Sequence, residues 1–74
     1  MAVDLELFGQ LLPGQPRRRD FKIQEATTAR EIAHAIGLDL PDIGMIAING
    51  VQSELDDVVS PDSRLCFFPY VSGG

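Results

Sequence analysis

The chain closes on Val71-Ser72-Gly73-Gly74, and the chemical group on offer there is a carboxylate carried by a glycine. An α-carboxyl titrates at about 3.3–3.7, so at neutral pH it is ionised and resists nucleophilic attack. Converted to an acyl-adenylate, its carbonyl carbon becomes attackable. Glycine suits such a carbonyl, because no Cβ shields it and the backbone can pass a narrow channel. Two terminal glycines supply no packing, cap or turn closure of their own. The expected roles are therefore Gly74 as the reacting acyl group and Val71, Ser72 and Gly73 as the lead that threads it into a partner's active site.

The other candidates for chemistry are weaker. Cys66 is the single cysteine, which excludes an intramolecular disulfide, an all-cysteine metal site and a four-cysteine iron–sulfur cluster. It sits in an apolar run with no positive neighbourhood to lower its pKa, so a buried structural thiol is expected. His34, the single histidine, falls on the outer face of a helix with no second ligand or nucleophile beside it. Asp56-Asp57 lies in an irregular loop without a third or fourth cation ligand, and solvation is its expected state. The segment Ile48-Asn49-Gly50-Val51-Gln52-Ser53-Glu54 has neither the spacing nor the lysine of a phosphate-binding loop. No self-contained active site, metal site or stably bound cofactor is expected.

Composition narrows the class further. At 74 residues with 45% hydrophobic content the chain is one globular domain, and it buries only about 60% of its unfolded surface. No apolar run reaches the roughly 20 residues needed to cross a bilayer, and Met1 to Glu6 lacks the order of a signal peptide. A soluble, cytoplasmic protein is the expectation. The net charge is −5, with Arg17, Arg18 and Arg19 clustered early. Six acids and no Lys or Arg lie between Asp39 and Asp62. Nucleic-acid binding needs a broad basic face and is not expected. The three arginines read as a solvated loop or strand end.

The elements that must carry the terminus are legible from periodicity. Val3, Leu5 and Leu7 alternate with Asp4 and Glu6, the pattern of a half-buried strand, which puts Phe8 on the outer side. Pro13-Gly14 signals a type II turn, and Arg19 to Gln24 forms a second strand with Phe21 and Ile23 inward. Thr28 and Glu31 form a capping box, Ala29, Ile32, Ala33 and Ile36 an apolar stripe, and Gly37 the left-handed stop. Asp39 to Gly44 reads as a linker. Met45 to Ile48 is a strand with Ile46 and Ile48 inward, turning at Asn49-Gly50 into a short partner from Val51. Leu55 to Pro61 reads as irregular, with Leu55 and Val58 or Val59 plugging the core. Arg64 to Phe68 is the last strand, with Leu65 and Phe67 inward and Cys66 and Phe68 outward, and pairing should lapse at Pro69.

This order predicts an α+β domain: a mixed sheet of four to five strands with one helix across one face, the first and last strands side by side in the centre. That is the β-grasp, or ubiquitin-like, architecture, expected over residues 1–69 with 70–74 as a flexible tail. Phe8, Met45 and Phe68 fall on the sheet face away from the helix, and an exposed apolar patch on a small domain marks a contact surface.

The whole chain resembles the ThiS/MoaD-type sulfur carriers, most closely the branch that forms the small subunit of molybdopterin synthase. Val3-Asp-Leu-Glu-Leu-Phe-Gly-Gln-Leu-Leu-Pro-Gly14 is similar to that branch's first strand and loop, and Ile46-Ala-Ile-Asn-Gly-Val51 to its central hairpin. Ser60 to Gly74 resembles its closing strand and tail, with Tyr70 where a second proline is common and Asp62-Ser63 in place of an Asp-Gly turn. The resemblance implies that a MoeB/ThiF-type enzyme adenylates Gly74 using ATP-Mg and that a persulfide donor protein turns it into a thiocarboxylate. It further implies that a MoaE-like large subunit passes the sulfur to a pterin precursor, with Phe8 and Phe68 against the partner. A carrier for another pathway such as thiamine, a ubiquitin-like modifier joined to lysines, and a non-catalytic binding module are the alternatives.

Overall fold

A computed structural model describes residues 1–70 of the chain. Five strands form one sheet: β1 (Ala2–Leu7), β2 (Arg18–Lys22), β4 (Ile43–Ile48), β5 (Val51–Ser53) and β7 (Arg64–Pro69). Their spatial order is β2-β1-β7-β4-β5, with β1 and β7 parallel and the other pairs antiparallel. The helix α1 (Ala29–Ile36) packs on one face, and two short strands, β3 (Thr27–Thr28) and β6 (Val58–Val59), pair beside it. This is the β-grasp arrangement, with the chain's last strand at the centre of the sheet.

Register explains why the core is where it is. Leu7 and Ile46 both lie opposite Phe67, and Leu5 and Ile48 both lie opposite Leu65. Two apolar rows thus cross the three central strands on the inner face, beneath Ala29, Ile32 and Ala33 of the helix. Phe67, Leu5, Ile32 and Leu65 are fully buried, and each such side chain contributes about 1.5–3 kcal/mol relative to exposure. A slip of one residue in β7 would send Leu65 and Phe67 to the outer face, so the pattern specifies the register.

Punctuation behaves as the residue types dictate. Thr28 Oγ1 accepts the Glu31 N–H at 3.2 Å, one half of the expected capping box without the return bond to the Glu31 carboxylate, and Gly37 closes the helix at φ +82°. Asn49 and Gly50, both at positive φ, turn β4 into β5. The Leu12-to-Gln15 turn closes with a 3.1 Å backbone bond and Gly14 at φ +87°.

Four expectations need correction. The second strand runs from Arg18 to Lys22 rather than Arg19 to Gln24, although Phe21 and Ile23 do pack inward. The Asp39–Gly44 segment is a linker only in part, since Ile43 and Gly44 already belong to β4. Leu55 to Pro61 is not wholly irregular: Val58 and Val59 pair with Thr28 and Thr27, Val59 filling the core and Val58 remaining 62% exposed. Pairing does not lapse at Pro69. Ile43 lies opposite it across an irregularity in the ladder, and the Tyr70 N–H donates to the Asp42 carbonyl at 2.9 Å. Proline removes its own donor but leaves its neighbours free to bond.

That extension depends on Gly44. A Cβ there would lie 2.6 Å from the Pro69 carbonyl oxygen and 2.8 Å from Tyr70 Cα. Gly44→Ala is expected to push the end of β7 off β4 and destabilise the fold by about 1–3 kcal/mol. Thermal melting checks this; an unchanged midpoint would refute the close approach.

Candidate functional site

Because β1 and β7 run parallel, both chains leave the sheet at the same end. Leu7 lies opposite Phe67, and the Phe8 N–H then donates to the Phe67 carbonyl at 3.0 Å. The next side chains on the outer face are Phe8 and Phe68, stacked with ring centroids 4.4 Å apart and planes 11° from parallel. Met45 lies opposite Phe68 across β4 and is 38% exposed. The three outer-face residues singled out from alternation therefore meet in one half-buried patch. A stacked pair of this kind contributes beyond simple burial.

Charge borders the patch. Arg18 forks onto Asp4 with bonds of 3.1 and 2.7 Å, while Arg64 reaches Glu6 and places its Nε 3.4 Å from Cys66 Sγ. The Arg18 hydrogen bond holds the Asp4 carboxyl below its usual range, opposed by slight desolvation. Cys66 is an outer-face residue, as alternation requires, yet it is buried at 7% exposure among its neighbours.

The residues next to the tail were less visible in the sequence. Gly9, at φ +62°, faces Pro69, whose Cγ would lie 2.6 Å from a Cβ built there. Gly44 approaches the same segment from the other side. The signal available was glycine at a strand end and inside a strand, where close backbone approach is the usual reason. Arg17, exposed as expected, also donates to the Gly9, Leu12 and Gln15 carbonyls and ties down the β1–β2 loop. Tyr70, the last described residue, is 66% exposed. Gly74 and the lead Val71, Ser72 and Gly73 lie outside the described residues.

The discounted candidates have other occupations. His34 is exposed on the helix, which lies across the opposite face of the sheet from the patch. Asp56 is held by Arg30 at 2.8 and 3.1 Å, and Asp57 accepts the Glu54 N–H at 2.8 Å, so this pair shapes its loop. The Arg30 hydrogen bond lowers the Asp56 carboxyl in the same way as Arg18 lowers Asp4. Among the described residues no three His, Cys, Asp or Glu side chains gather where a metal ion could be held. No described helix is long and apolar enough to cross a membrane.

Comparison with known proteins adds the following. A family model described as the ThiS family matches residues 5–74. A solved structure, that of SAMP1 from Haloferax volcanii, aligns over 100% of both chains with a TM-score of 0.75 and 21% identity. At that identity the likeness speaks for the fold. No curated protein matches the chain.

The two lowered carboxyls carry a pH signature. Folding favours their ionised forms, so their contribution is complete above the ordinary carboxylate range and is lost as pH falls through the depressed folded values. Denaturation midpoints measured from about pH 6 down to about pH 2 are expected to fall less steeply in Asp4→Asn with Asp56→Asn than in the parent. Superimposable profiles would show that these pairs add nothing.

Proposed function

The chain belongs to the ThiS family of ubiquitin-like sulfur carriers, and on that premise we propose that the carboxyl group of Gly74 is its working group. In this scheme a MoeB/ThiF-type enzyme binds ATP-Mg, the Gly74 carboxylate attacks the α-phosphorus, and pyrophosphate leaves. The persulfide of a donor protein then attacks the acyl carbon and AMP departs. Cleavage of the resulting acyl disulfide by a further thiol leaves a thiocarboxylate on Gly74 and a disulfide on the donor side. The chain holds no cofactor of its own and acts in the cytoplasm, as the small subunit of molybdopterin synthase. A MoaE-like large subunit takes the tail and transfers sulfur to the pterin precursor of the molybdenum or tungsten cofactor.

The observation that carries the proposal is the stacked Phe8–Phe68 pair, flanked by Met45, at the end of the sheet where β7 closes just before Tyr70. Four residues span at most roughly 14 Å when extended, so a reactive Gly74 can enter only an active site whose mouth rests against the domain. Buried aromatic anchors are the kind of contact that supplies most of an interface's affinity. A patch beside the exit, rather than at the far pole, meets that requirement.

Intact mass after incubation with ATP-Mg, an adenylating enzyme and a persulfide donor is expected to show one oxygen replaced by sulfur. Deletion of Gly74 should abolish the change. No replacement with competent partners would overturn the proposal, and conjugates joined to lysines would favour a modifier instead. Affinity for the adenylating enzyme provides the second check. Phe68→Ala is expected to weaken it by at least about tenfold, the range of an interface anchor.

A further inference from the structure

Beside the tail root lies a cleft of about 440 Å³, between the β1–β2 loop and the turn that follows α1. Leu12 and Leu38 supply apolar wall, Asp39 and Asp42 line one side, and Pro69 and Tyr70 line it from β7. We propose that this cleft accepts an arginine side chain of the protein that takes the tail. The inference rests on the tail being the processed group and adds what grips the domain next to it.

The two carboxylates are placed together by backbone geometry. Leu40–Asp42 is a single 3-10 turn with Asp39 as its N-cap, closed by the Asp42 N–H to the Asp39 carbonyl at 3.0 Å. Asp42 closes the single turn that Asp39 caps, and both residues line the same cleft. Neither carboxylate takes part in an ion pair among the described residues, where Asp4, Asp56 and Glu6 are the acids engaged. Asp39 also makes no cap bond to its own turn. The nearby cation, Arg17, is occupied by three loop carbonyls and is not part of the lining.

The occupant follows from this chemistry. An aliphatic stem can lie on Leu12 and Leu38 while a cationic head stays at the wet rim. A planar guanidinium can stack on the exposed Tyr70 ring and bond two carboxylates at once, which a compact, strongly hydrated ammonium does less well. The chain's net charge of −5, with no Lys or Arg between Asp39 and Asp62, draws cations toward this lobe. Tyr70 lies two residues beyond Phe68 and Gln10 two beyond Phe8, so the cleft is lined from the same end of β1 and β7 at which the aromatic pair stacks. Tyr70, a proline position in the resembling carriers, thereby acquires a task.

A test without any enzyme separates this inference from sulfur loading. Isotope-labelled full-length protein is titrated with N-acetyl-arginine amide, and with its lysine and neutral citrulline counterparts, while amide resonances are followed. Arginine is expected to give saturable shifts centred on Leu12, Leu38, Asp39, Asp42 and Tyr70 that weaken with salt, and citrulline none. Asp39→Asn with Asp42→Asn should abolish them, and Tyr70→Leu should weaken binding about threefold. All three side chains are exposed, so the remaining spectrum should stay in place; if the double variant disturbs it, Tyr70→Leu alone decides. Lysine or citrulline matching arginine, shifts spread over Glu54 to Asp62, no saturable shift, or indifference to the variants would each overturn the proposal.

Discussion

The parallel pairing of β1 with β7 is the constraint on which everything else rests. It puts the first and last strands together in the middle of the sheet, with β7 bonded on both edges. Because the strands run the same way, Leu5 and Leu7 align with Leu65 and Phe67 on the inner face. The outer-face residues that follow, Phe8 and Phe68, are then forced side by side. The same pairing brings Tyr70, the last described residue, out at the end of the sheet beside them. Core, patch and tail root are therefore consequences of one ladder.

Two kinds of interaction divide the labour between the faces. Inside, fully buried Phe67, Leu5, Leu65 and Ile32 contribute on the order of kilocalories each and hold the sheet to the helix. Outside, the Arg18–Asp4 pair is open to solvent and the Arg64–Glu6 pair half-buried, and screening keeps the contribution of the exposed pair to folding small. Their effect is on the character of the face, setting ion pairs next to a small apolar patch. At the tail root the limiting factor is space. Gly9 and Gly44 press on Pro69 from two sides and let β7 keep its pairing up to Tyr70.

Much of the architecture was legible because it rests on local rules. The period-2 runs at Val3–Leu7 and Leu65–Phe67, the Thr28–Glu31 cap, Gly37 and the Asn49-Gly50 turn each state their conformation within a few residues. Phe8, Met45 and Phe68 could be assigned to one face by parity alone. What escaped notice depends on residues distant in the chain. Two-residue strands such as Thr27–Thr28 and Val58–Val59 are too short to show a period, and each becomes a strand only by meeting the other. That the exposed Arg17 also ties down its loop was not legible, because its partners are backbone carbonyls, which no side-chain pattern reveals.

By itself, then, the sequence determined the order of the longer elements and which side chains of each strand face in or out. These follow from alternation, capping and turn chemistry, all short-range. Only the tertiary structure decided that Phe8 and Phe68 stack, that pairing runs past Pro69, and that Asp39, Asp42 and Tyr70 border one cleft. Those facts depend on register between strands and on the approach of loops some thirty residues apart. Hydrophobic period says which side a residue takes; the closing of the sheet says what it meets there.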